Sequence, residues 1–178
     1  MRALSKIAFS VAAPGALLSA CVPQPVAPPP APTPAPVVRP APLPVAPAGS
    51  QWSDWAWTPG TWSYRRDGRG SIALFGPTGG DALLTLRCDL DRRRIVLSRA
   101  GTSAAPLTIR TTSLTRAVAV QPTGSTPPYV AAALAPTDGL LDAMGFSRGR
   151  FVVQQQGGTT LVVPTWAEIE RVTEDCRG

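Results

Sequence analysis

The chain has 178 residues, a length that allows one ordinary domain with tails. It contains no histidine, so catalysis, metal binding or pH switching through an imidazole is excluded, and we expect no cofactor and no metal site. The positive charge is carried by scattered arginines, 14 against 11 acidic residues after residue 50, and without a basic stripe interleaved with aromatic residues we expect no nucleic-acid partner.

The first 21 residues have the pattern of an export signal. Arg2 and Lys6 precede an apolar segment, residues 7–18, that is short for a membrane span. The segment Leu18-Ser19-Ala20-Cys21 resembles the lipobox of bacterial lipoproteins, in which the cysteine thiol is lipidated and the signal, here residues 1–20, is removed. The alternatives are an ordinary signal peptide with an incidental cysteine, or a short transmembrane anchor.

Lipidation of Cys21 would anchor the mature chain outside the cytoplasm. Two or three acyl chains give lasting attachment, since each buried methylene contributes about 0.8 kcal/mol. Val22 stands where enteric-type sorting places the Asp that resembles an inner-membrane retention signal. We therefore expect a membrane partner reached through the lipid anchor, with the protein on the outer membrane and its domain facing the periplasm.

Residues 21–50 predict a linker. Of the 21 prolines in the chain, 12 lie within residues 23–47, and this Pro/Ala composition favours extended polyproline II or disorder. At about 3.1 Å per residue the linker would reach roughly 80 Å. A spacer explains its position behind the lipid cysteine better than the alternative, a ligand for a proline-binding groove.

Residues 51–178 predict one small domain that is mainly β, of the α+β class. Strand-length apolar runs, many of them alternating, are separated by turn residues, as in an antiparallel sandwich or barrel. The first predicted hairpin pairs residues 62–64 with 71–75, and the second pairs 81–88 with 94–99. Further strands are predicted at 107–111, 117–120, 129–134, 149–154 and 159–164.

Two helices complete the predicted domain. Thr137 is predicted to cap a short helix that ends at Gly145. Thr165 and Glu168 have capping-box spacing, which predicts a C-terminal helix packed on the sheet. Its apolar face would contain Trp166, Ile169 and Val172, with Cys176 just beyond.

The cysteines divide into one lipid site and one pair. If Cys21 carries lipid, Cys88 and Cys176 remain together in an oxidising compartment, which favours a disulfide. The alternatives are two buried thiols or one redox-active thiol, and the sequence has neither a Cys-x-x-Cys motif nor a histidine that would activate one.

Trp52, Trp55, Trp57 and Trp62 lie within eleven residues where the linker meets the domain. If exposed, Trp52, Trp55 and Trp57 are candidate binding residues that would stack on a glycan or peptide. We prefer the other interpretation, in which Trp55, Trp57 and Trp62 anchor the core of the first strands.

Two acidic pairs have the residue types of glycosidase chemistry, Asp89 with Asp91 and Glu170 with Glu174. A turn explains the aspartates better, and a solvated helix face explains the glutamates better. We therefore predict no catalytic residues.

The segments Leu84–Asp89, Arg94–Arg99, Phe146–Phe151, Val163–Glu168 and Glu174–Arg177 resemble uncharacterised exported lipoproteins of sphingomonad-type alphaproteobacteria. The resemblance implies location and a two-cysteine β-rich domain, and no activity transfers with it. The domain is also distantly similar to small periplasmic β-sandwich accessory proteins of invasion and secretion systems.

These patterns together predict a lipid-anchored periplasmic protein with a non-catalytic role in binding or envelope organisation. Its expected partners are envelope proteins or peptidoglycan. The alternative function is a periplasmic hydrolase or an enzyme inhibitor. A cleft with two convergent carboxylates of raised pKa would favour the hydrolase, and an exposed Trp or apolar patch would favour binding.

Overall fold

A computed structural model of the chain describes residues 51–178. The predicted signal peptide, the lipidation site Cys21 and the proline-rich linker lie outside the described residues. Within 51–178, no helix is both long enough and apolar enough to cross a membrane.

The described residues form ten strands and two α-helices, after a short 3-10 helix at Trp52–Asp54. The strands are β1 (Thr61–Asp67), β2 (Gly70–Gly76), β3 (Leu84–Asp89), β4 (Arg94–Ala100), β5 (Leu107–Arg110), β6 (Thr115–Val118), β7 (Gln121–Pro122), β8 (Tyr129–Leu134), β9 (Arg150–Gln155) and β10 (Leu161–Pro164). The helices are α1 (Gly139–Gly145) and α2 (Ala167–Arg177).

The strands make two antiparallel sheets, which confirms the predicted β-rich α+β class. Six strands follow the order β1-β2-β3-β4-β8-β7, and four follow the order β10-β9-β5-β6. The predicted hairpins β1–β2 and β3–β4 both form, with Trp62 opposite Phe75 and Leu86 opposite Leu97. In both hairpins a short turn joins strands whose apolar residues alternate, and this combination specifies the register.

One hydrophobic core is shared by both sheets and both helices. On the larger sheet, period-two alternation turns Ile95 and Leu97 inward, and both are fully buried. Phe151 and Val153 of β9 belong to the same core cluster. The buried side chains therefore lie between the two sheets, as in a sandwich, and both helices contribute side chains to the same core.

Helix α2 packs against β2 and β3 and also touches α1. Ile169 and Val172, which belong to α2, are fully buried, as their helical spacing predicts. Cys176 lies in the last turn of α2 and forms a disulfide with Cys88 of β3, with the two Cα atoms 5.3 Å apart. The bridge confirms the predicted pairing and attaches the C-terminal helix covalently to the centre of the larger sheet.

Both predicted helix starts were wrong. Helix α1 is capped by Asp138, not Thr137, because the Asp138 carboxylate accepts a hydrogen bond from the Leu140 N–H at 2.9 Å. Helix α2 begins after Trp166, and no side chain caps it. The Thr165 N–H donates to the Gly149 carbonyl at 3.0 Å, so the chain stays extended past the position at which a capping box would begin.

Trp166 was also placed wrongly on the buried face of α2. As the N-cap residue it has an extended backbone, with φ −112° and ψ 164°, and it precedes the helical spacing that buries Ile169. Its side chain is 45% exposed.

Removal of the disulfide is expected to destabilise the domain strongly. The bridge joins residues 88 positions apart, and in the chain-entropy model closing a loop of that size contributes about 4.6 kcal/mol. The double variant Cys88→Ala, Cys176→Ala should therefore unfold at lower denaturant concentration than the oxidised wild type. Near-UV circular dichroism in guanidinium measures this difference.

Intact mass with and without reductant is the control for the redox state, because the oxidised chain is lighter by two hydrogens. Equal denaturation midpoints for the oxidised wild type and the double variant would contradict the stabilising role of the bridge.

Candidate functional site

The four tryptophans at the start of the domain have three different environments. Trp62 lies in the core, 6% exposed, and its Nε1 donates to the Pro164 carbonyl at 2.8 Å. Trp52 and Trp55 are half-buried. Trp57 is 43% exposed. The preferred core interpretation therefore holds for Trp62 and is wrong for Trp57.

Trp57 and Trp166 line the same cleft, which has a volume of about 390 Å³. We call it the tryptophan cleft. Its lining residues are Trp57, Thr58, Gly60, Gly149, Pro164, Thr165 and Trp166. The two indoles come from chain positions more than 100 residues apart, so only the tertiary fold brings them together.

Arg150, the first residue of β9, holds Trp57 in place. Its guanidinium carbon lies 3.8 Å from the centroid of the Trp57 ring, within cation–π distance. Its Nη1 also donates to the Trp55 carbonyl at 2.6 Å. One arginine thus stacks on the exposed indole and ties down the backbone that precedes it.

Strand β10 fixes the segment that carries Trp57. The Thr58 N–H donates to the Val162 carbonyl at 3.0 Å, and the Val162 N–H donates to the Thr58 hydroxyl at 2.8 Å. Thr58 is 4% exposed. These paired hydrogen bonds make residue 58 an extension of the sheet, so the neighbouring indole projects from a rigid backbone.

Trp166, the second indole of the tryptophan cleft, lies in the link between β10 and α2. The hydrogen bond from Thr165 to Gly149 holds this link beside the turn that precedes β9. The Thr165 hydroxyl oxygen is buried and has no hydrogen-bond partner among residues 51–178. The tryptophan cleft therefore presents two exposed indoles, and the Thr165 hydroxyl is buried beside it.

No charged residue is among those that line the tryptophan cleft. Its chemistry suits a neutral ligand that has an apolar face for an indole and polar edges for hydrogen bonds. Sequence reasoning missed Trp166 and Arg150, and the tryptophan spacing gave no signal for either. A prediction of extended backbone at residue 166 would have indicated that Trp166 lies outside the buried helix face.

The acidic pair at residues 89 and 91 forms a turn. Asp89 is buried, and its carboxylate accepts hydrogen bonds from the backbone N–H and the side chain of Arg92, at 3.1 and 2.9 Å. Arg69 adds an ion pair at 3.1 Å. These bonds, the backbone bond above all, lower the pKa of Asp89. A general acid at neutral pH requires the opposite shift.

The pair on α2 differs from its expectation, because Glu170 does not lie on a fully solvated face. Its Oε1 is buried without a hydrogen-bond partner among residues 51–178. Burial, and then the charge of Asp142, raises the pKa of Glu170. The carboxylate packs against Gly145 of α1, where a Cβ atom would lie 1.4 Å from Oε1. Glu170 thus lies at a tight contact between the two helices.

A second cleft, beside α2, contains two carboxylates, Glu174 and Asp175, together with Tyr64, Arg66 and Arg171. Burial acts to raise the pKa of Asp175, but hydrogen bonds from Tyr64 and Arg66 outweigh it and the net shift is downward. The Tyr64 hydroxyl donates to Asp175 at 2.6 Å. Asp175 is therefore held as an ionised structural partner.

Comparisons of the chain with protein-family models, with curated protein sequences and with solved structures give no match.

Asp67, at the end of β1, forms a paired interaction with an arginine. Arg87 on β3 donates to both Asp67 oxygens, at 3.1 and 2.8 Å, in the paired geometry that favours an ionised carboxylate. This bond, followed by one from the Arg69 backbone N–H, lowers the pKa of Asp67 from 3.8 to about 2.

Acid is expected to weaken the domain through this ion pair. A carboxylate whose pKa is lowered by folding stabilises the protein above its unfolded pKa, and that contribution is lost as the pH falls. For Asp67 the loss lies between about pH 4 and pH 2. Asp67→Asn should therefore lower the Tm at pH 7 and flatten the dependence of Tm on pH in that interval.

Thermal unfolding from pH 7 to pH 2 tests this expectation, with Asp91→Asn on the neighbouring turn as the control. An Asp67→Asn profile parallel to the wild-type profile would show that Asp67 does not contribute to acid sensitivity.

Proposed function

We propose that this chain is a lipid-anchored, non-catalytic binding protein of the bacterial envelope, whose tryptophan cleft holds a sugar ring of the cell-wall glycan. The exposed pair Trp57 and Trp166 across one cleft is the observation that carries the binding role. The lipobox-like segment ending at Cys21 supports the membrane anchor. Location and ligand are both part of the proposal.

The cleft supports a glycan in four respects. A pyranose ring has an apolar C–H face that packs on an indole, and the cleft presents the exposed indoles of Trp57 and Trp166. The volume of the tryptophan cleft, about 390 Å³, is within the range of small-ligand sites. Its neutral lining suits uncharged rings, and Arg150 holds one indole in position before the ligand arrives, which limits the entropy lost on binding.

The linker supports the choice of cell-wall material as the ligand. Residues 23–48 in an extended conformation span roughly 80 Å, which would carry the domain well away from the lipid surface. A domain at that distance from its membrane meets a fixed polymer more readily than it meets lipid headgroups.

The carboxylates support a role without catalysis. Asp67, Asp89, Asp138 and Asp175 each form an ion pair with an arginine, and in each the pKa is lowered. Such groups stay ionised near neutral pH and stabilise the fold. A hydrolase needs one carboxyl that holds a proton. The carboxyl of raised pKa, Glu170, lies at the contact between α1 and α2 and lines neither the tryptophan cleft nor the cleft beside α2. This arrangement favours binding over the alternative hydrolase function.

Substitution of Cys21 is expected to abolish lipid attachment. Only the thiol of Cys21 lies at the lipobox position, so cells grown with labelled palmitate should label the wild-type protein and not Cys21→Ser. The variant should also leave the membrane fraction. Label counting and fractionation measure the two effects.

The double variant Cys88→Ala, Cys176→Ala is the matched control, since it removes two thiols and should keep the label. Equal labelling of the wild type and Cys21→Ser, or a Cys21→Ser protein that stays membrane-bound and uncleaved, would refute the lipid anchor.

Truncation of either indole is expected to weaken glycan binding. Loss of an aromatic anchor residue costs about 1.4 kcal/mol or more, which is at least tenfold in affinity. Trp57→Ala and Trp166→Ala in the purified full-length protein should each bind N-acetylglucosamine oligomers at least tenfold more weakly than wild type. Titration followed by tryptophan fluorescence measures the affinity.

Phe146→Ala is the matched control, because Phe146 is a 74% exposed aromatic residue that does not line the cleft. The Phe146 variant should bind as the wild type does. Equal affinity of all three variants would show that the tryptophan cleft is not the binding site. Binding to a proline-rich peptide in place of the oligomers would overturn the glycan assignment.

A further inference from the structure

One arginine occupies a position in the core. The residues Ile95, Leu97 and Arg99 alternate along β4 on its inward face, and Arg99 lies opposite Leu84 of β3 and Val130 of β8. Its neighbours in this row are fully buried, and Arg99 itself is 4% exposed. Charged residues at such positions are ordinarily paired, since burial of an isolated charge is costly.

Arg99 has no such partner in residues 51–178. No carboxylate lies within ion-pair distance, although six other arginines of the domain form ion pairs. Its Nη2 donates to the Thr159 carbonyl in the turn between β9 and β10. Its Nη1 is buried and has no hydrogen-bond partner among the described residues. The guanidinium therefore carries an uncompensated charge and an unused donor.

The charged group lies at a cleft of about 300 Å³, which we call the arginine pocket. Its walls are the turns at residues 101–103 and 157–159, and the apolar side chains of Leu83 and Leu161. Gln155 braces one wall, because its Nε2 donates to the carbonyls of Ser103 and Ala105 at 2.8 and 2.7 Å. The pocket is thus built, with a rigid rim and a volume in the range of ligand sites.

Glycine 158 makes room for the charged group. A Cβ atom at this position would lie 2.7 Å from the Arg99 Nη2, so a larger residue would displace the guanidinium. Burial lowers the pKa of Arg99, yet a guanidinium remains protonated in proteins. Among the described residues, no carboxylate lies close enough to pair with this positive charge.

We propose that the arginine pocket binds a small ligand through an oxyanion, with a carboxylate favoured over a phosphate. A carboxylate matches the planar donors of arginine, and it would complete the hydrogen bonding of Nη1. The apolar walls from Leu83 and Leu161 suit a short carbon skeleton attached to the carboxylate. This site is separate from the tryptophan cleft, at the opposite end of the β9–β10 hairpin, and its binding does not depend on the lipid anchor.

Thermal unfolding of the purified full-length protein tests the proposal with three probes. N-acetylalanine carries a carboxylate on a small apolar body, N-acetylalanine amide is its neutral counterpart, and inorganic phosphate is the other oxyanion. N-acetylalanine should raise the Tm in a concentration-dependent manner, and the amide should not. If only phosphate raised the Tm, the pocket would still be an oxyanion site, but its ligand would be a phosphate and not a carboxylate. No shift with either anion would overturn the site.

Two variants connect the Tm shift to Arg99. Arg99→Met keeps the length of the side chain and removes the charge, so it should abolish the ligand-induced shift. Without ligand its Tm should equal or exceed that of the wild type, because a buried unpaired charge has been removed. Arg148→Met, at an exposed arginine outside the pocket, should keep the shift. Arg99 would be purely structural if Arg99→Met had a lower Tm than the wild type without ligand and still showed the full Tm shift with N-acetylalanine.

Gly158→Ala disturbs the pocket without a change in the core. The added Cβ should displace the guanidinium and weaken N-acetylalanine binding at least tenfold, measured as a higher concentration for half of the Tm shift. Gly139→Ala is its control, since a Cβ there meets nothing within 4 Å. Equal half-shift concentrations in the two glycine variants would contradict the placement of the ligand beside Arg99.

Discussion

The antiparallel pairing of β9 with β10 is the constraint on which both candidate sites depend. Its register sets Val153 opposite Leu161 and Arg150 opposite Pro164. The first pair is buried in the core, so a slip by one residue would turn apolar side chains outward at a large cost. The same register places Arg150 against the Trp57 ring at one end of the hairpin. At the other end it places the turn whose Thr159 carbonyl accepts a hydrogen bond from Arg99.

All basic residues of residues 51–178 are arginines. The planar guanidinium groups of three of them have three different environments. Arg150 stacks on an indole and bonds a backbone carbonyl. Arg87 grips both oxygens of Asp67, and this bond lowers the pKa of the carboxyl. Arg99 is buried and forms no ion pair within residues 51–178. A compact ammonium group could replace few of these contacts, because stacking and paired hydrogen bonds require a flat, rigid donor. The first two uses stabilise local structure, and the third is a cost that folding alone does not explain.

Much of the fold could be predicted because its signals are local. The hairpins β1–β2 and β3–β4 combine alternating apolar residues with short turns, so neighbouring residues specify both the strands and their register. The disulfide followed from the small number of cysteines and from the expectation, read from the first 21 residues, that the chain is exported. The helix starts failed because capping depends on where the preceding strand ends, and Thr165 is still held by Gly149 from a distant turn. The capping motif was present, but a tertiary hydrogen bond kept the backbone extended there.

The sequence by itself determined the β-rich class, the hairpins, the cysteine pair and the exclusion of imidazole chemistry, since these depend on composition and short-range periodicity. The pattern also identified Trp57 as a candidate, without indicating whether it lies in the core or on the surface. Only the tertiary structure brought Trp166 and Trp57 to one cleft, and only it left Arg99 without a carboxylate partner in the described part of the chain. Both facts depend on contacts between residues about 60 to 110 positions apart. No local pattern encodes such contacts, because their geometry is set by how the two sheets and α2 pack around one core.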